Sequence, residues 1–130
     1  MLDPNTCSYL IKRKPERVLQ RFQPHSIGDI GISSITLAEL EYGVAKSQHV
    51  QKNRLALGEF ILPLEIAAFD EAASEKYGAM RSMLEKNGML IGSMDMLIAA
   101  HALSLDVTLI TNNIKEFKRI KGLKVVDWST

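Results

Sequence analysis

The chain has 130 residues, 46% hydrophobic and 24% charged, with sixteen basic residues against fifteen acidic ones and a formal charge of +1. That length suits one domain over 1–130 with a buried core, and the composition excludes wholesale disorder and a histone-like polycation. No apolar run approaches a membrane span, no signal-peptide layout opens the chain, and the lone Cys7 has no disulfide partner, so a soluble cytoplasmic protein is expected.

Met1-Leu2 reads as the tail of a first strand ending at Asp3, and Asn5 to about Arg13 follows a helical period. Pro15 stands where a second helix begins, with Val18, Leu19 and Phe22 at helical spacing before Pro24. Residues 29–33 form a short apolar strand, and Ser34 is expected to cap a helix over 35–44 with Leu37, Leu40 and Val44 inward. A further amphipathic helix covers 50–60. Residues 61–64 are the weakest strand, because Pro63 lacks a ladder donor. Asp70 caps a long helix with Ala73, Tyr77, Met80 and Leu84 on one face and Gly88 at its stop. Ser93 is expected to cap a buried helix over 94–105, followed by a strand at 107–110, a turn at Asn112-Asn113, a short basic helix and a last strand at 124–127. Strands alternating with helices imply an α/β fold around a mostly parallel sheet.

The near-zero charge conceals two basic ends. Residues 12–21 carry five basic residues against Glu16 alone, residues 115–124 carry five against Glu116 alone, and residues 29–95 hold ten acids against six bases. Such clusters occur as solvated helix faces and also as phosphate contacts.

In open parallel sheets, sites gather beyond the carboxyl ends of the strands. Asp3, Glu39, Asp95 and Asn113 fall there, each a turn or less beyond a strand or inside a helix start. Singly, Asp3 before Pro4 is a helix cap, Asp95 complements a helix dipole, and Asn113 is a turn residue. Glu39 lies in the most apolar part of its helix, where an acid needs a partner or a metal. Together, three carboxylates and an amide oxygen are hard ligands of the type preferred by Mg²⁺ and Mn²⁺. A metal so held can activate water against a phosphodiester, with the basic clusters on the nucleic-acid backbone. His25, His49 and His101 lack zinc spacing, and His101 reads as a satisfied core histidine. No phosphate-binding glycine loop and no nucleophile elbow is present.

Residues 1–5 (M-L-D-P-N) resemble the M-L-D-T-N opening of PIN-domain toxins of the VapC type. Residues 32–43 around Glu39 are similar to the family's second acidic motif, residues 91–102 around Asp95 to its third, and 111–117 around Asn113 to its fourth. The resemblance implies a three-layer α/β/α sandwich and an endoribonuclease dependent on Mg²⁺ or Mn²⁺. It implies Asp3, Glu39 and Asp95 as metal ligands, with Asn113 completing the catalytic set where many relatives carry aspartate. It also implies a homodimer, a VapB-type antitoxin partner and RNA as substrate, with tRNA first; no membrane partner is expected, because no apolar run is long enough to span one. Pro4 departs from the family's usual threonine and motivates a second reading, a catalytically weak or silent domain that binds antitoxin or RNA.

Overall fold

A computed structural model describes all residues, 1–130. The chain forms seven helices and four short strands: α1 (Pro4–Lys12), α2 (Glu16–Phe22), β1 (Gly31–Ser33), α3 (Ser34–Ala45), α4 (Val50–Ile61), β2 (Glu65–Ala67), α5 (Glu71–Lys86), α6 (Ser93–Leu105), β3 (Leu109–Ile110), α7 (Ile114–Phe117) and β4 (Val125–Val126). The strands pair in parallel as β1 with β2 and β3 with β4.

The first three residues join these two ladders. Leu2 N–H donates to the Gly31 carbonyl at 3.0 Å, Asp3 N–H to the Ile110 carbonyl at 3.0 Å, and Ile110 N–H to the Met1 carbonyl at 2.7 Å. The spatial order is therefore β2, β1, the Met1–Asp3 segment, β3, β4, with Leu2 bridged in parallel to Ile110. The tail of a first strand expected at Met1-Leu2 is the middle of the sheet.

Adjacent strand residues point to opposite faces, and Leu109 and Ile110 divide the core accordingly. Leu109 joins Met80, Leu84, Met96, Ile98 and Phe117 in a cluster built on α5, α6 and α7. Ile110 joins Leu2, Cys7, Leu10, Val18, Ile32 and Trp128 in a cluster built on α1, α2 and β1. Helices thus cover both faces of a parallel sheet, the three-layer α/β/α arrangement expected from the sequence. The buried helix expected over 94–105 is α6, whose residues Ile98, Ala99, Ala100, His101 and Ala102 are all buried.

Several local expectations need correction. Residues 61–64 hold no strand: Ile61 ends α4, Leu62 continues helical geometry, and the strand starts past Pro63 at Glu65. The proline breaks the chain between helix and strand, and β2 lies at the outer edge of the sheet, where one ladder of donors suffices. The cap of α3 is Ser33, whose Oγ accepts from Ile35 N–H at 3.0 Å, whereas the Ser34 hydroxyl accepts from Phe69 N–H at 3.0 Å. Ser93 likewise is the first helical residue of α6, and the cap position belongs to Gly92 without a side-chain bond. The strands at 107–110 and 124–127 shorten to two residues each, because pairing is confined to Leu109–Val125 and Ile110–Val126. Asp70 caps α5 as expected, accepting from Ala73 N–H at 3.0 Å, and Gly88 closes it in the left-handed conformation at φ 63°.

Leu2 is fully buried between the two ladders. Leu2→Ala is expected to lower unfolding free energy by about 2–5 kcal/mol, read from the denaturant midpoint. A loss below about 1 kcal/mol contradicts its central placement.

Candidate active site

The sheet delivers Asp3 to its carboxyl edge and then turns the chain into α1. Asp3 has extended backbone at φ −80° and ψ 169°, which suits a residue before proline. Its Oδ1 accepts from Thr6 N–H at 2.8 Å, capping the helix, while Pro4 at the first helical position loses no needed donor. The Thr6 hydroxyl donates in turn to the Ile110 carbonyl at 3.2 Å. The Thr111 hydroxyl also bonds the Asp3 carboxylate. The residue is only 3% exposed, so its carboxylate is nearly dry.

The other acids arrive from the helices that leave neighbouring strands. Glu39 is half-buried on α3, which starts at the end of β1, and Asp95 lies half-buried in the first turn of α6. Burial raises the Asp3 carboxyl above its ordinary range, opposed by its hydrogen bonds and reinforced by the Asp127 charge. Glu39 is raised by burial and by the Asp3 charge. Asp95 is pushed up to about 6 by burial and by the charges of Glu116, Asp3 and Glu39. Asp3, Glu39 and Asp95, separated by 36 and 56 residues in sequence, are thus near enough in the fold for their charges to act on one another.

Glu116 is the member that sequence reading missed, counting it only as a lone acid in a basic segment. Its Oε1 accepts from Gly92 N–H at 2.8 Å, at the start of α6. A side-chain carbon placed on Gly92 would stand 3.5 Å from Asp95 Oδ2 and 3.8 Å from Glu116 Oε1, so the two carboxylates flank one spot. The available signal was spacing: Glu116 lies three residues after Asn113 at a helix start, where such residues reach back to the cap. Asn113 does reach it, its Nδ2 donating to Glu116 Oε2, and its own N–H donates to the Thr111 hydroxyl at 3.0 Å. That bond engages the amide nitrogen, not the oxygen expected to face a metal or water.

None of these acids is in an ion pair; the two ion pairs of the chain, Arg54–Glu41 and Lys124–Asp106, are at the surface. Thr36, one turn before Glu39 on α3, carries the one buried side-chain polar atom without a partner. No three acidic, histidine or cysteine side chains converge closely enough to form a finished ligand set. The cluster is an all-oxygen donor set of like charges held apart, short of counter-charge. That donor chemistry fits a hard divalent cation.

His101 supports the site from beneath. Its Nδ1 lies 2.7 Å from Ser33 Oγ, its ring bonds the Ala68 backbone, and Phe69 meets it edge-on at 5.4 Å. Burial lowers its pKa. It is the satisfied core histidine expected, joining α6 to the cap of α3. Cys7 is buried, and its thiol is raised by burial and by the Asp3 charge, so it offers no nucleophile. Met80 and Met96 are core residues, whereas Met83, Met89 and Met94 are exposed near the corner between α5 and α6.

Residues 1–123 match the family described as PIN domain. The chain is 44% identical over 129 residues to Ribonuclease VapC2 of Rickettsia felis, covering 98% of this chain and 96% of that one. It is 40% identical over 129 residues to the tRNA(fMet)-specific endonuclease VapC of Shigella flexneri, covering 99% and 97%. Among solved structures, DNA-bound VapBC from Salmonella typhimurium superposes with a TM-score of 0.93 at 41% identity, covering 98% of this chain and 96% of that chain.

The raised Asp95 pKa has a consequence for stability. Unfolded, this carboxyl ionises near its ordinary 3.8; folded, it does so near about 6, so the fold binds more protons between those values. Stability from this group therefore falls as pH rises through that window and stays at the lower level above it. In metal-free buffer, Asp95→Asn is expected to melt above wild type at about pH 8, with the gap shrinking towards about pH 4.5. A gap that is absent, or constant with pH, contradicts the electrostatics described.

Proposed function

The chain belongs to the PIN-domain family, as a member of the VapC type, and from that premise we propose that it is the endoribonuclease toxin of a toxin–antitoxin pair. The observation that carries the reading is the assembly of Asp3, Glu39 and Asp95 from three distant segments into one cluster short of counter-charge. A relative named for tRNA(fMet) makes tRNA the first substrate, and solved VapBC complexes make a VapB-type antitoxin the partner.

Asp3, Glu39 and Asp95 would hold Mg²⁺ or Mn²⁺, with Glu116 beside Asp95 and Asn113 orienting Glu116. When bound, such an ion lowers the pKa of a water and offsets charge developing on the phosphodiester. The chain's own part is positional. The Thr6 N–H and the Thr111 hydroxyl hold the Asp3 carboxylate in one orientation and leave it lone pairs to spare. Glu116 locks the start of α6, and with it the turn bearing Asp95, to α7. His101 and Ser33 fix the start of α3 against α6, which sets the separation of Glu39 from Asp95.

The exposed Lys12, Arg13, Lys14, Arg17 and Arg21 near α1 and α2, with Lys115, Lys118 and Lys121 on and after α7, would contact phosphates on either side. The exposed Met83, Met89, Leu90 and Met94 offer an apolar surface for a second copy.

Pro4 is compatible with activity on this reading. It replaces a residue at a position whose N–H has no helical partner, and the Asp3 cap is intact.

Incubation with tRNA and Mg²⁺ is expected to give discrete cleavage products, abolished by chelator. Asp95→Asn and Glu39→Gln should each cost at least about 100-fold in rate, and Asn113→Ala about 10–100-fold. Cleavage that survives chelation and Asp95→Asn sinks the metal mechanism. Pro4→Thr should change the rate by less than about threefold, a change of under ~1 kcal/mol in barrier. Cleavage seen in that variant alone supports the silent-domain reading instead.

A further inference from the structure

We propose that the side-chain amides of Asn5 and Asn112 form a nucleotide-reading clamp at the rim of the carboxylate cluster, set in orientation by the Tyr9 hydroxyl. The inference rests on the ribonuclease reading and names residues that would touch RNA beside the scissile phosphate.

Asn5 Nδ2 donates to Asn112 Oδ1 at 3.4 Å, and Asn112 Nδ2 donates to the Tyr9 hydroxyl at 2.8 Å. Asn5 and Tyr9 lie four residues apart on α1 and therefore on one face of it. Asn112 belongs to the loop between β3 and α7. Its neighbours on either side both serve the acids, Thr111 bonding Asp3 and Asn113 bonding Glu116. Consecutive Cα atoms are about 3.8 Å apart, so this amide stands one residue from the cluster in both directions. Asn5 is two residues past Asp3.

Both asparagines are exposed. An exposed amide finds water as readily as another amide, so this arrangement adds little to stability. What it does is fix direction. The Tyr9 bond turns the Asn112 nitrogen towards α1 and its oxygen towards Asn5. A primary amide has two N–H donors and two carbonyl lone pairs. After the internal bonds, Asn112 keeps one donor and one lone pair, and Asn5 keeps one donor and its whole carbonyl. The rim therefore presents donors and acceptors side by side, the pattern that matches the edge of an unpaired base. Lys12, seven residues beyond Asn5, lies on the same face of α1 about 10 Å further along, and is placed for a neighbouring phosphate.

A tie that merely fastens α1 to the loop would affect all RNA alike; a reading clamp would affect some sequences more than others. Wild type, Asn112→Asp and Tyr9→Phe would be compared with Mg²⁺ on short single-stranded oligoribonucleotides in which each position around the cut is varied. Asn112→Asp keeps the size and loses the donors; Tyr9→Phe keeps the ring, which packs against the core cluster of α1 and α2.

Asn112→Asp is expected to change relative kcat/KM among bases at one position next to the cut by at least roughly fivefold. Tyr9→Phe should raise KM and flatten the same preference with kcat kept, and both variants should melt near wild type. A preference profile that superimposes on wild type, including one lowered equally for every RNA, overturns the clamp. If wild type cuts none of these RNAs or tRNA, the ribonuclease reading fails, and binding of the same labelled RNAs decides the clamp: equal affinity of wild type and Asn112→Asp overturns it.

Discussion

The structure depends on a carboxylate kept out of water with no basic side chain paired to it. Asp3 is nearly dry because its backbone is stitched into the middle of a sheet and its side chain caps the helix that follows. Hydrogen bonds from Thr6 and Thr111 make the position tolerable, yet they do not neutralise it. Glu39, Asp95 and Glu116 then approach the same region, and their charges act on one another. Burying like charges together is costly, and a protein built for stability alone would place apolar residues there. The cost is understandable if the cluster is completed by a counter-charge.

The same stitching makes the fold. Without the Met1–Asp3 segment the chain would hold two separate two-stranded ladders, each too small to stand alone. With it, five parallel segments form one surface, and the alternation of Leu109 and Ile110 sends one side chain into each helical layer. The acids lie beyond the carboxyl ends of these strands, where helix N-termini also converge. Stability and site are therefore coupled at Leu2 and Asp3, two adjacent residues facing the core and the cluster.

Much of this was legible in the sequence because it depends on local chemistry. Asp70 and Gly88 bound α5 by capping rules that act within a few residues, and the unbroken apolar run of α6 announced a buried helix. Asp3, Glu39 and Asp95 stood out as acids at strand ends or in apolar surroundings, and the ordered motifs around them carried the family. What failed was decided at a distance or by one residue of phase. Ser33 and Ser34 are both competent caps; His101 and Phe69, far along the chain, settle which hydroxyl serves which partner. Glu116 looked like a stray acid among lysines until Gly92, 24 residues earlier, was seen to take its carboxylate. The Asn5, Tyr9 and Asn112 contacts span more than a hundred residues and leave no local trace.

The charge pattern also acquires a meaning that the net value hides. The basic segments are exposed on α1, α2 and α7, outside an acidic centre, and a divalent ion would turn that centre from repelling phosphate to attracting it. The most direct test is the proton balance of metal binding. Titration of Mg²⁺ or Mn²⁺ by calorimetry near pH 6, in two buffers of different ionisation heat, reads the protons displaced as the raised carboxyls ionise. Saturable binding is expected, with proton release near pH 6 that fades by about pH 8, since Asp95 is then already ionised. Absence of binding, or heats independent of buffer at both pH values, would contradict a cluster of raised carboxylates completed by a cation.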